Sequence, residues 1–205
     1  MYIVITMRLF IAVNFDEQLK QRILAVQNRI RQGVKCGKFP PPENFHLTLV
    51  FLGETPEEYL PKIKTVMMQT ASSGGKPYAA FELVFSHAGF FKRGAKELWW
   101  LGTDSAENRR APPSRTDGIA QLEKLQKKLA AELMAHNFFI DSRPFTPHIT
   151  LGREIQSNLW PFKTENINIP VRRLSLMRTE RITVSQRENK LVYTELFGYN
   201  PGAEQ

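Results

Sequence analysis

Residues 46–53 read HLTLVFLG, and residues 148–153 read HITLGR. His, an apolar residue, Thr and Leu therefore occur twice in one order, 102 residues apart in a chain of 205. The chain has only four histidines, His46, His87, His136 and His148, so half of them fall inside this repeat. Side chains alternate faces along a strand, which turns His46 and Thr48 one way and Leu47 and Leu49 the other. His148 and Thr150 repeat the pattern, with Ile149 and Leu151 turned away. Each strand is expected to bury its aliphatic face and to offer an imidazole and a hydroxyl on the opposite one. Two such strands side by side would line a cleft with two His and two Thr. Arg153 stands at odd spacing from His148, nominally on the leucine face, and a bend at Gly152 would re-aim it into that cleft.

Working outward, each repeat is preceded by the same order of features. LFIAVNF reads as a buried strand, and Leu19, Ile23, Val26 and Ile30 then recur at helical spacing up to Gly33. KFPPPENF is a proline-stiffened loop carrying Phe45, and HLTLVFLG follows. A second helix is expected over 56–70, opened by Pro56. In the other half YAAFELVFSHAGFF and ELWWLGT read as strands around a basic hairpin tip with Lys92, Arg93 and Lys96. Residues 104–118 form a polar loop with Arg109, Arg110 and Arg115, and Ile119, Leu122, Leu125, Leu129 and Leu133 then mark a helix. A proline loop with Phe145 leads into HITLGR, and strands are expected at 165–171, 173–184 and 190–197. The order points to a duplicated unit: one domain of two pseudo-symmetric lobes, with motif-bearing halves of roughly 1–75 and 76–205. Strands outnumber helices, so the fold class is α+β with largely antiparallel sheets.

The composition suits a folded protein, with 42% hydrophobic and 23% charged residues. A net charge of +8 favours anionic partners such as nucleic acid. A single cysteine, Cys36, excludes an internal disulfide and points to a reducing cytoplasm. The apolar start is interrupted by Arg8 and reads neither as a signal peptide nor as a membrane span.

Two imidazoles with ordinary pKa values near 6.5 can share one proton at neutral pH, one serving as acid and one as base. Hydroxyls and a guanidinium donate to phosphate oxygens, where charge accumulates during phosphoryl transfer. A strained cyclic phosphodiester needs activated water and a protonated leaving oxygen, and the expectation is metal-independent hydrolysis with no cofactor. One His-x-Thr is a weak signal, but two in matching context are not. Neither motif brings Asp, Glu or Cys at zinc-ligand spacing, so no metal is expected. Phe45, Phe91, Trp99 and Trp100 are the candidates for stacking a terminal base. His87 and His136 lack the following Thr and read as structural or surface residues.

These pieces resemble the 2H phosphoesterase superfamily, named for two H-x-[T/S]-x motifs, and within it the RNA 2′,3′-cyclic phosphodiesterase family, once described as 2′–5′ RNA ligases. The matching stretches are MRLFIAVNF, HLTLVFLGE, FFKRGAKELWWLG and PFTPHITLGR. The resemblance implies a bilobal fold with the motifs facing each other across a central groove. It implies cleavage of a 2′,3′-cyclic phosphate end to a 2′-phosphomonoester, with possible reversal to 2′–5′ ligation. It would make His46 the proton donor to the departing 3′ oxygen and His148 the base. Thr48, Thr150 and Arg153 would hold the phosphate. The near two-fold arrangement leaves the two histidine roles interchangeable on sequence alone. The implied partner is RNA with a cyclic phosphate end or a related nucleotide, bound by a cytoplasmic monomer. Two other functions fit the same motifs: a non-catalytic nucleotide- or RNA-binding module, and a phosphodiesterase for another cyclic phosphate or a 2′–5′ oligoadenylate.

Overall fold

A computed structural model describes residues 5–71, 79–103, 113–185 and 188–201. The chain runs β1 (Thr6–Asn14), α1 (Glu17–Gln32), β2 (Val34–Lys38), β3 (His46–Pro56) and α2 (Leu60–Ala71). It continues with β4 (Phe81–Arg93), β5 (Lys96–Gly102), α3 (Pro113–Ala135), β6 (His148–Ser157), β7 (Phe162–Val171), β8 (Leu174–Ser185) and β9 (Glu188–Tyr199). All the strand pairings are antiparallel, in the order β7-β4-β5-β6-β3-β1-β8-β9, and β2 pairs with β6.

The two motif strands, β3 and β6, are neighbours at the centre of this sheet, each followed outward by three further strands. β8 pairs with β1, so the final hairpin extends the lobe that contains the first motif. The second motif's lobe is built from β4 to β7.

One face of the sheet carries the core. Leu9, Ile11, Leu47, Leu49, Ile149 and Leu151 are all buried, as the alternation requires. Asp16 caps α1 by accepting a hydrogen bond from the Leu19 N–H at 2.8 Å. The helical stripe differs by one residue from the expected one: Val26 is half-buried, and the buried position is Gln27. Pro56 ends β3, residues 57–59 form a short 3₁₀ turn, and α2 begins only at Leu60. α3 begins at Pro113, inside the segment expected to be loop, because proline's fixed φ suits a helix's first position. Arg109 and Arg110 lie outside the described residues, as does the side chain of Arg115. β2 was not expected from the sequence, because VKCGK is a short edge segment with no apolar alternation. No helix among the described residues is long and apolar enough to cross a membrane.

Candidate active site

β3 and β6 meet at Leu47 and Ile149, and this antiparallel register sets His46 beside Thr150 and Thr48 beside His148. The two imidazoles are held in the same way. His46 Nδ1 lies 2.7 Å from the Asn44 carbonyl, two residues earlier in the chain. His148 Nδ1 lies 2.7 Å from the Thr146 carbonyl, again two residues earlier. A carbonyl only accepts, so Nδ1 carries the proton in both rings and Nε2 is left as the free lone pair. The Asn44 side chain ties its loop to the sheet by donating to the Leu191 carbonyl at 2.8 Å.

Both rings resist protonation. Burial pushes the His46 imidazole down to about 4; its bond to Asn44 opposes this, while the charges of Arg153 and His148 add to it. Burial also lowers His148, with Thr146 opposing and Arg153 and Arg93 assisting. Arg153 therefore acts on both histidines at once, and each unliganded imidazole is neutral at pH 7.

Arg153 reaches the cleft through an irregular stretch of β6. The β5–β6 register shifts twice, between Trp100 and Trp99 and again between Trp99 and Glu97, so β6 carries extra residues on either side of Gly152. Glu154 sits in the left-handed region at φ 54, and its carboxylate accepts hydrogen bonds from Lys38 and from Lys96, the latter at 3.0 Å. The expected bend at Gly152 is thus a wider bulge spanning Gly152 to Glu154. Beneath it, the buried Gln27 amide donates to the Leu151 carbonyl at 2.9 Å and to the Pro40 carbonyl at 2.8 Å. Gln27 anchors the bulged strand from the helix side.

The sequence matches the 2′-5′ RNA ligase superfamily over residues 15–183. The chain belongs to that superfamily. A Thermotoga maritima protein described as RNA 2′,3′-cyclic phosphodiesterase is 28% identical over 166 residues, 80% of this chain and 79% of that one. A Methanothermobacter thermautotrophicus protein of the same description is 30% identical over 147 residues, 71% and 70% of the two chains. Among solved structures, Escherichia coli LigT complexed with 3′-AMP superposes with a TM-score of 0.72 at 25% identity, covering 97% of this chain and all of that one. The Thermus thermophilus protein TT0787 gives 0.71 at 26% identity, again covering 97% of this chain.

In this superfamily member His46, Thr48 and Arg153 line one depression, Thr48 and His148 line a second beside it, and Thr150, next to His46 in the register, lines neither of the two. Of the four aromatic candidates, Phe45 and Trp99 are buried in the core. Phe91 meets His148 edge-on, with ring centroids 5.4 Å apart, and packs against Trp100. Two aromatics on the His46 side were not anticipated. Phe10 lies 4.8 Å from the His46 ring and Tyr193 meets it edge-on at 5.1 Å. Phe10 shares β1 with the buried run LFIAV, where alternation sets it on the cleft face, so the signal was present. Tyr193 depends on the return of β9 beside β8, which no local pattern announces. Of the hairpin cations only Arg93 enters the His148 side, since Lys96 is engaged with Glu154.

Proposed function

We propose that the chain hydrolyses RNA 2′,3′-cyclic phosphate ends to 2′-phosphomonoesters by two-histidine acid–base catalysis. The observation that carries this reading is the matched anchoring of His46 and His148, which leaves both Nε2 atoms free on adjacent strands. Water attacks phosphorus while His148 Nε2 takes its proton, and the P–O3′ bond breaks as protonated His46 Nε2 gives a proton to O3′. The 2′ oxygen keeps the phosphate. Arg153, Thr48 and Thr150 donate to the non-bridging oxygens, where negative charge builds up. The histidine roles follow the family resemblance. With a 5′-hydroxyl in place of water the same groups serve 2′–5′ ligation in the same roles: His148 takes the hydroxyl's proton and His46 protonates the departing O3′.

The cyclic phosphodiester also completes the protonation balance. Its negative charge offsets Arg153 and raises the histidine pKa values on binding, so that one ring gains the proton that the empty site disfavours. The homologues described as RNA 2′,3′-cyclic phosphodiesterases support the substrate class. We read the chain as one domain of two lobes, because a single sheet runs through both. We also read it as a cytoplasmic monomer acting without a cofactor: the lone Cys36 is a free, exposed thiol, and one chain supplies both motifs.

The test is incubation, with EDTA present, of an RNA ending in a 2′,3′-cyclic phosphate. A 2′-phosphate product that disappears in both His46→Ala and His148→Ala is expected. Saturable binding without any product would instead identify a binding module.

A further inference from the structure

The two depressions that share Thr48 and Phe51 are unequal. The one on the His148 side encloses 340 Å³ between Phe91, Ile140 and Phe145, near the lower limit of about 300 Å³ for a small-molecule site. Its Arg143 is already engaged with Asp141. The one on the His46 side encloses 820 Å³ and runs away from the histidine over β1, β8 and β9. From Phe10 beside His46 to Ile5 at its far end is five residues, or about 16 Å of strand.

The register determines what this larger groove presents. Arg8 pairs with Thr179, Thr179 with Tyr193, and Arg181 with Leu191, so these side chains share the cleft face with Phe10. Phe51 and Leu191 are 42% and 41% exposed, unusual for large apolar side chains inside a groove. The Arg8 guanidinium lies over the Phe51 ring at 4.7 Å, forming a flat cationic platform. Arg8 also meets Glu54 at 3.7 Å, but that pair is solvent-exposed and weak. Arg181 is exposed, and no ion pair among the described residues involves it. An exposed ring set among arginines suits single-stranded nucleic acid, with a base on the ring and phosphates on the cations.

We propose that the groove over β1, β8 and β9, rather than the depression beside His148, binds the nucleotides on the 5′ side of the reacting end. This deepens the proposed phosphodiesterase function and rests on it. The terminal nucleoside occupies the smaller depression beside His148 and Phe91. The cyclic phosphate sits between the histidines, and the preceding nucleotides leave past Phe51 with their phosphates toward Arg8 and Arg181.

The experiment measures kcat/KM for a nucleoside 2′,3′-cyclic phosphate and for di-, tri- and tetraribonucleotides with the same end. In the wild type the value should rise roughly fivefold to a hundredfold over the first added nucleotides. Arg181→Ala and Phe51→Ala should reduce that gain while Arg143→Ala, on the opposite depression, retains it. Equal rates at every length would overturn the groove assignment and leave the functional reading intact. A length dependence lost in Arg143→Ala but kept in Arg181→Ala would send the RNA out through the other depression. No hydrolysis at any length would overturn the functional reading, and this inference with it.

Discussion

The ends of the cleft around His46 and His148 are built from one motif and finished differently. Each histidine is fixed through Nδ1 to the carbonyl two residues before it. Around that shared geometry, His46 is flanked by Phe10 and Tyr193, whereas among the described residues only Phe91 makes a ring contact with His148. Five residues beyond each histidine the strands diverge again: Phe51 on β3 corresponds to Arg153 on β6. The repeat supplies two equivalently held imidazoles, and the two strands differ in carrying an aromatic at one of these positions and a cation at the other, both lining the depression beside His46. In the proposed mechanism both ends serve a single phosphate, and their surroundings are not interchangeable.

The largest expected effect tests what the two ends share. His46→Ala and His148→Ala should each lower turnover of a cyclic-phosphate RNA by roughly 10²–10⁴-fold, with far-ultraviolet circular dichroism unchanged. A variant retaining near-wild-type turnover would break the equivalence and remove that histidine from the mechanism.

The next tests what divergence did to the His46 end. Its imidazole titrates near 6.5 in the unfolded chain and at about 4 in the folded one. Between these values the unfolded chain binds more proton, so stability is full above about pH 6.5 and falls as the pH drops toward 4. The shift corresponds to about 3 kcal/mol. Denaturation of wild type and His46→Ala at pH 7 and pH 4 isolates it from carboxylates that protonate in the same range. The wild type should lose more stability than the variant, and equal losses would show that burial leaves this histidine untouched. In the same sense, kcat/KM should peak on the acid side of neutrality, because the free protein must hold one proton on a pair whose pKa values are both lowered.

Arg153 brings its charge to both ends. Arg153→Ala should lower kcat/KM roughly tenfold to a hundredfold through loss of a charge-assisted phosphate contact. It should also raise both histidine pKa values in an NMR titration, since the guanidinium lowers both. A shift confined to His148 would place Arg153 at one end only. Gln27→Leu probes the support beneath that arginine. It leaves the Leu151 and Pro40 carbonyls without their donor, at a cost of about 1–3 kcal/mol in thermal or denaturant unfolding.

What the sequence disclosed follows the range of the interactions involved. The alternation in HLTLVFLG and HITLGR was enough to sort cleft from core, because period two is a local property of a strand. The leucine ladder of α3 was legible for the same reason, at period 3.6. The bulge that turns Arg153 was legible only as a glycine in an odd place. Its actual form depends on Glu154, Lys38, Lys96 and Gln27, drawn from three other elements. Gln27 was visible as a polar residue near the apolar stripe, but helical spacing alone favoured Val26. The placement of β8 and β9 beside β1 was not legible, since strand order is decided by packing between distant segments, and Tyr193 was lost with it.

The smallest expected effect makes the sharpest comparison, because it removes only the flanking rings. Tyr193→Leu keeps volume and apolar character at the His46 end while deleting an edge-on aromatic contact, and Phe91→Leu does the same at the His148 end. Such contacts contribute about 0.5–1.5 kcal/mol beyond burial. At the His46 end Phe10 remains against the imidazole, so the ring keeps one flank and its Nδ1 anchor. At the His148 end the anchor to Thr146 remains, but that carbonyl belongs to an exposed residue in a loop. Phe91→Leu should therefore cost more turnover than Tyr193→Leu, by a few-fold, when both are measured on the nucleoside cyclic phosphate. If the order is reversed, the His46 cage rather than the Thr146 loop governs ring orientation, and the more enclosed histidine is also the less firmly held.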